Sequence, residues 1–193
     1  MLADQPLTDL LDKFASPSPT PGAGGAAATS AALGVALLQM VAALPKTKTG
    51  GAAERAALAA AAAALAPLRK ELVAAIDADA AAYNAVTTAY KLPKATDTER
   101  DARQAAIQAA LRHATAAPLA IVRLAAAGLQ EGIMVGANGH TAAAGEVGVA
   151  VTLLQAGLKS ARLCVQVNLN ELTDTSYRAQ VLAEIERLTH DRM

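Results

Sequence analysis

AAERAALAAAAAALAPLRKELVAAIDADAAAYNAVTTA, residues 52–89, decides the fold class. Leu58, Leu65, Leu72, Asp79 and Val86 recur in it every seven residues, with a companion row of Leu68, Ile76, Tyr83 and Tyr90. That is the spacing of one side of a long α-helix. Alanine, the strongest helix former, fills most of the remaining positions. Pro67 interrupts the run and is expected to kink it or divide it in two. Leu92-Pro93-Lys94 ends it.

Reading outward, the same period recurs on both sides. Towards the start, Leu33, Leu37, Met40 and Val41 define a helix from about Gly25 to Leu44. Before it, Leu7, Leu10, Leu11 and Phe14 mark a short one. Between those two lie prolines 17, 19 and 21, which forbid regular structure. Towards the end, Thr96 or Asp97 can cap a helix running past Pro118 to about Ala127. The stretch from Gly128 to Ala144 is rich in glycine and reads as a break with a short helix inside. Helices at about Gly145–Asn168 and Leu172–Arg187 complete the chain. Cys164 to Leu169 alternates like a strand, but it continues a helical run without a turn signal and reads as helix. The expectation is an all-α, up-and-down bundle of about six helices, one domain spanning residues 1–193, packed as a homodimer.

Composition narrows the function. Hydrophobic residues make up 53% of the chain but aromatics only 2%. Alanine buries little area per residue, so such helices must approach closely to gain packing energy, and a second subunit is expected to add an interface. Net charge is zero with no basic face, which argues against nucleic-acid binding. One cysteine, Cys164, allows no disulfide framework and no cysteine-based zinc site, and it reads as core. No basic region precedes an apolar stretch at the start, so no secretory signal is expected. The longest alanine-rich run, Ala56 to Ala66, is too short for a bilayer, which needs about 20 residues. No membrane association and a cytoplasmic location are therefore the default expectations.

Four features could carry chemistry. The first is Ser16-Pro17-Ser18-Pro19-Thr20-Pro21-Gly22-Ala23-Gly24-Gly25. A rigid proline segment, then glycines, then a helix start offers unpaired backbone N–H groups at a positive dipole end. A plain connection with close backbone packing would look the same. The second is Asp79, which occupies an apolar stripe. A buried carboxylate is costly unless it is paired or functional, and burial raises its pKa. Asp77 lies off that stripe and reads as solvated. The third is Glu146 with the loop-borne His140. An acid there also suits a helix N-terminus, and a lone loop histidine is often only exposed. The fourth is the basic set Lys46, Lys48, Lys91, Lys94, Arg100 and Arg103, which could face an acidic substrate tail or simply solvate a surface. No metal-ligand spacing or nucleophile elbow is present.

Taken in order from about Leu7 to Asp174, these segments resemble the cyclodeaminase domain of formiminotransferase-cyclodeaminase and the bacterial methenyltetrahydrofolate cyclohydrolases. The opening loop is similar to the family's Ser-x-x-Pro-x-Pro-Gly-Gly-Gly, with Ala23 at the central glycine. Asp79-Ala80-Ala81-Ala82-Tyr83 resembles Asp-x-Glu-Ala-Phe/Tyr. Ala89 to Lys94, Thr96-Asp97, Arg103, Ile107-Gln108 and Pro118-Leu119 continue the pattern. The resemblance implies a homodimeric helical enzyme acting on one-carbon adducts of tetrahydrofolate, without a metal or redox cofactor. It implies Asp79 as general acid/base, with Glu146 standing where the family has aspartate. It implies substrate contacts from Gly22, Gly24, Gly25, Tyr83 and His140, with Lys48 and Lys94 for the glutamate tail.

The chain also departs from the pattern. Gly139 to Val149 lacks the serine and both asparagines of Gly-Asn-x-Asn-x-x-Ser-Asp-x-Gly-Val. Cys164-Val165-Gln166-Val167-Asn168 stands where the family has Asn-Val-x-Ile-Asn, and Ala81 stands where it has glutamate. A site stripped of donors and acceptors binds a pterin less well. A repurposed scaffold acting on a non-folate small molecule is therefore the alternative. A non-catalytic dimer, with Asp79 salt-bridged away from any cavity, is a third.

Overall fold

The structure, a computed structural model, describes residues 1–190. Six α-helices follow in order: α1 (Leu7–Ala15), α2 (Ala23–Ala42), α3 (Ala52–Tyr90), α4 (Asp97–Asn138), α5 (Ala144–Asn170) and α6 (Thr175–Thr189). Short 3-10 turns cover Leu2–Asp4 and Thr141–Ala143. No strand forms among the described residues; a single bridge pairs Thr47 with Gly139.

Helices α2 to α5 form an up-down-up-down ring, each packed on its neighbours in sequence, with α5 closing against α2. Their shared core includes Val35, Leu38, Leu65, Leu72, Ile121 and Leu154, all fully buried. A second cluster at one end joins Leu111 and Leu119 of α4, Val165 and Leu169 of α5, and Val181 and Ile185 of α6.

Two expectations about helix limits change. Pro67 does not divide α3, which runs unbroken from Ala52 to Tyr90, while Pro118 lies inside α4 as expected. The glycine-rich stretch after Ala127 does not break α4, which continues to Asn138. Gly128, Gly132 and Gly136 fall at i, i+4, i+8, one side of a helix. A Cβ on Gly128 would lie 2.8 Å from Leu154 Cδ2, one on Gly132 3.4 Å from Val151 Cγ2, and one on Gly136 3.4 Å from Val147 Cγ1. These glycines are contact points for α5, and burial against it outweighs their low helix propensity.

The crossing of α2 and α5 is closer still. A Cβ on Gly34 would lie 2.7 Å from the Ala150 carbonyl oxygen, and one on Gly157 2.8 Å from that of Ala27. Backbone thus nearly touches backbone, as an alanine-built core requires.

The expectation that no segment is long and apolar enough for a bilayer is corrected. It rested on the Ala56–Ala66 run, but α2, α4 and the segment Thr141–Asn170 all meet that criterion by length and composition. More than half of α2's apolar window is buried inside the bundle, whereas little more than a quarter of the α5 window is. Asp77 is also not solvated. It accepts the Leu2 N–H at 2.8 Å, and its Oδ2 is buried with no hydrogen-bond partner among the described residues.

The caps follow ordinary helix-end chemistry. Thr96 Oγ1 accepts the Glu99 N–H at 3.2 Å, and Glu99 Oε2 accepts the Ala95 and Thr96 N–H groups, closing a capping box on α4. At the start of α3, Glu54 accepts from Thr47 Oγ1 at 2.6 Å, the Thr49 N–H at 2.8 Å and the Gly51 N–H at 3.3 Å. Gly50, at φ +83°, makes that turn possible. Led by the Thr47 hydroxyl, these donors hold the Glu54 carboxyl at about 2 against its ordinary 4.5. A depressed carboxylate stabilises the fold above its unfolded pKa and loses that contribution as pH falls through the folded one. Measured against Glu54→Gln, the wild-type advantage in thermal stability should be full above pH 4.5 and decline towards about pH 2.

Candidate active site

The proline segment delivers the chain to Gly22, which precedes the first turn of α2. The role of the next glycine is steric. A Cβ on Gly24 would lie 2.0 Å from Asp79 Oδ1 and 2.3 Å from its Cγ. Asp79, on α3, lies directly against the start of α2, and only a residue without a side chain leaves it room. The Gly25 N–H donates to the Asp79 carboxylate. On its other side Gly25 packs against Pro21 and the Phe14 ring at 3.5–3.6 Å. Burial pushes the Asp79 carboxyl above its ordinary 3.8, and the Gly25 hydrogen bond offsets only part of that rise. None of the ion pairs among the described residues involves Asp79.

Asp79 opens into a cavity of about 420 Å³. The proline–glycine loop and Gly22 and Gly24 form one wall, and Tyr83, Val86 and Tyr90 continue α3 as the next. Leu111 and Ala114 of α4 and Cys164, Val167, Asn168 and Glu171 near the end of α5 close it. The non-catalytic reading, with Asp79 held away from any cavity, is not what the chain builds.

Sequence reasoning marked the α5 wall only as a departure from the family pattern and named no site residue in it. Cys164, expected in the core, is half-buried and lines the cavity. Burial, and then the nearby Asp79 charge, push its thiol pKa up, so it stays protonated. Asn168 lies four residues on, one helical turn away. Its Nδ2 donates to the Ala114 carbonyl, which directs the amide across the α4–α5 seam. The i, i+4 spacing of the two polar residues on an apolar helix was the available signal. Gln108 braces this end. It donates to the Glu171 carbonyl at 3.1 Å and accepts the Thr173 N–H at 2.8 Å.

The remaining expected residues go elsewhere. Lys48 and His140 line a separate cavity of about 270 Å³ with Gly136, Gly139 and Val147, at the other end of the bundle. The Lys48 N–H donates to the Asn138 carbonyl at 3.0 Å, which ties the two loops together there. His140 Nδ1 accepts the Ala142 N–H at 3.3 Å, leaving Nε2 to carry the proton when the ring is neutral. Glu146 is exposed in the first turn of α5 beside that cavity. The 20 residues of α2 separate the two cavities, a span of about 30 Å. Lys94 is exposed in the loop between α3 and α4 and lines neither. In the same region Arg103 donates to the Tyr90 carbonyl at 3.1 Å and stacks on that ring at 5.5 Å. A larger cavity, about 530 Å³, lies between α5 and α6 and holds none of the expected residues.

The sequence model of formiminotransferase-cyclodeaminase matches residues 6–187. The chain belongs to that family. It is 40% identical over 188 residues to a methenyltetrahydrofolate cyclohydrolase of Methylorubrum extorquens, covering 97% of this chain and 90% of that one. It is 36% identical to the formimidoyltransferase-cyclodeaminase of Sus scrofa, covering 98% of this chain but 35% of the longer protein. A crystal structure of formiminotetrahydrofolate cyclodeaminase from Thermotoga maritima superposes with a TM-score of 0.86 at 25% identity, covering 97% and 90% of the two chains. Within this formiminotransferase-cyclodeaminase family member, the proline–glycine loop motif and the Asp79 motif meet at the contact between Gly24 and Asp79.

That contact is testable. Gly24→Ala should drive Asp79 off the helix start and remove activity. Gly24→Ala combined with Asp79→Ala should regain the thermal stability lost by the single variant, because the overlap disappears, while activity stays absent. Equal melting temperatures for the single and double variants would reject the steric account.

Proposed function

We propose that this chain is a folate-dependent one-carbon enzyme that hydrolyses methenyltetrahydrofolate to formyltetrahydrofolate. The observation that carries the reading is Asp79. It is a partly buried carboxylate of raised basicity, set against the start of α2 and facing a cavity of about 420 Å³. The 40% identity to a methenyltetrahydrofolate cyclohydrolase supports the substrate class.

In this mechanism the methenyl carbon, bridging two nitrogens in a cationic amidinium, sits before Asp79. Water attacks that carbon while Asp79 accepts one of its protons, giving a neutral tetrahedral adduct. The bond from this carbon to one ring nitrogen then breaks. Asp79 returns a proton to that nitrogen, and the second water proton is released as the carbinol oxygen becomes a formyl carbonyl. No electron transfer occurs, and the reaction as written calls for no metal or redox cofactor. The buried side chains of Leu111 and Ala114 keep water from that side of the charge that develops. Tyr83 and Tyr90 offer faces for a flat pterin, and the Asn168 amide and the N–H groups at the start of α2 offer polar contacts. A homodimer in the cytoplasm is part of the same reading.

Cyclodeamination of formiminotetrahydrofolate passes through the same tetrahedral carbon, with ammonia as leaving group. The match to the formimidoyltransferase-cyclodeaminases keeps it as the second reading. Purified protein supplied with each substrate distinguishes them: loss of methenyl absorbance above the buffer rate supports hydrolysis, and its appearance from the formimino substrate supports cyclodeamination. No acceleration of either would overturn the folate assignment.

A further inference from the structure

The Asp79 cavity holds a second acid that the mechanism does not use. Glu171 lines it, and among the described residues no lysine, arginine or histidine does. None of the ion pairs among those residues involves Glu171. The hydrogen bonds it makes come from its backbone: its N–H donates to the Asn168 carbonyl at 3.2 Å, and its own carbonyl accepts from Gln108 at 3.1 Å. Glu171 is also the C-cap of α5. An acid there faces the negative end of the helix dipole, which is unfavourable without a donor partner.

Its position is fixed from α4. The Gln108 amide uses both ends. Nε2 donates to the Glu171 carbonyl, and Oε1 accepts the Thr173 N–H at 2.8 Å and the Thr173 hydroxyl at 2.9 Å. One turn further along α4, Arg112 pairs with Asp174. The chain leaving α5 is therefore clamped on both sides of Leu172, itself buried.

The spacing between the two acids suits one ring system. The charge of Asp79 reaches the Cys164 thiol. Cys164, Asn168 and Glu171 fall at i, i+4, i+7, one side of α5. Glu171 thus stands two turns beyond Cys164, about 10 Å along the helix. Helices α3 and α5 run in the same direction, so Tyr83, Val86 and Tyr90 advance from Asp79 alongside that row. In a methenyl-bridged pterin, the reacting carbon and the edge bearing the 2-amino group and N3–H lie at opposite ends of the fused rings. With the carbon at Asp79 and the rings along the tyrosines, that edge points towards Glu171.

We propose that the Glu171 carboxylate holds the pterin by this edge, one oxygen accepting from the 2-amino group and the other from N3–H, and that Gln108 is the positioning residue that keeps Glu171 at the cavity. The inference rests on the folate reading above. Two parallel donors meeting two carboxylate oxygens form a bidentate, charge-assisted pair, which fixes orientation as well as affinity.

The test compares two probes on the full chain, 5-formyltetrahydrofolate and its 2-desamino-2-methyl analogue, with dissociation constants measured by calorimetry. A site built around an amino donor rejects a ligand that lacks it. Wild type should bind the amino form about 10–100-fold more tightly, the range for losing hydrogen bonds to a charged group. Glu171→Ala should bind the two alike, keep at least the wild-type melting temperature, and show its loss with the methenyl substrate in KM rather than kcat. Gln108→Ala should reduce the preference, and the double variant Gln108→Ala/Glu171→Ala should discriminate no less than Glu171→Ala alone. Equal binding of the two probes by wild type, or a preference that survives in Glu171→Ala, would overturn the proposal and leave the folate reading standing. Additive losses in the double variant would overturn the role of Gln108. A Glu171-dependent preference in a wild-type protein that accelerates neither folate reaction would reject the reaction and keep the pterin contact. Binding of neither probe would overturn the contact.

Discussion

Asp79→Asn is expected to lower turnover of the methenyl substrate by about 10²–10⁴-fold, the usual contribution of a positioned general acid or base, while leaving the protein at least as stable as wild type. The two effects share one cause. Burial makes the ionised carboxylate costly in the folded state and raises its pKa above the ordinary 3.8. Below 3.8 the group is protonated in both the folded and unfolded chains and contributes nothing. As pH rises from there through the raised folded value, the unfolded chain ionises more readily and stability is lost. Asparagine keeps the shape and an acceptor for the Gly25 N–H but cannot ionise. Its melting temperature should therefore equal the wild-type value in acid and exceed it near neutral pH. Wild-type activity should rise through a limb displaced above the ordinary aspartate range. A variant that is less stable than wild type at neutral pH but fully active would show that Asp79 is structural.

Gly157→Ala is expected to lower stability by a large margin. Its new methyl would lie 2.8 Å from the Ala27 carbonyl oxygen, 2.9 Å from Ala31 Cβ and 3.1 Å from the Ala31 nitrogen. Two of these are backbone atoms, and neither neighbour has a flexible end that could move aside. The helices must separate, and overpacking of this kind costs about 1–3 kcal/mol. At about 2–4 °C per kcal/mol for a chain of this size, the melting temperature should fall by several degrees. Gly132→Ala is the control. There a Cβ meets Val151 and Leu38 side chains at 3.4–3.5 Å, so the gain in helix propensity of up to about 1 kcal/mol should survive. Equal losses at the two positions would show that the close approach of α2 and α5 is not what makes Gly157 necessary.

Part of the site was legible in the chain. Asp79 was conspicuous because a carboxylate interrupts a heptad stripe, and the proline–glycine segment because nothing regular can form there. The α5 wall was less so. Cys164 and Asn168 lie off the polar stripe of Lys159, Arg162, Gln166 and Asn170, and only knowing which side of α5 faces α4 tells lining from core. The glycines after Ala127 were misleading for a related reason. Glycine marks a loop when judged alone, but spaced by four against a facing helix it marks a contact.

By itself, the sequence determined the helices, their order and the family, because apolar period and local motif depend only on neighbours along the chain. It also marked Asp79 as anomalous. Only the tertiary structure decided that Gly24 makes room for that carboxylate, that α5 supplies a wall, and that Lys48 and His140 belong to another cavity. Those facts depend on which helix ends meet. In an antiparallel bundle that is set by close packing between small residues far apart in sequence, and no spacing along one helix encodes it.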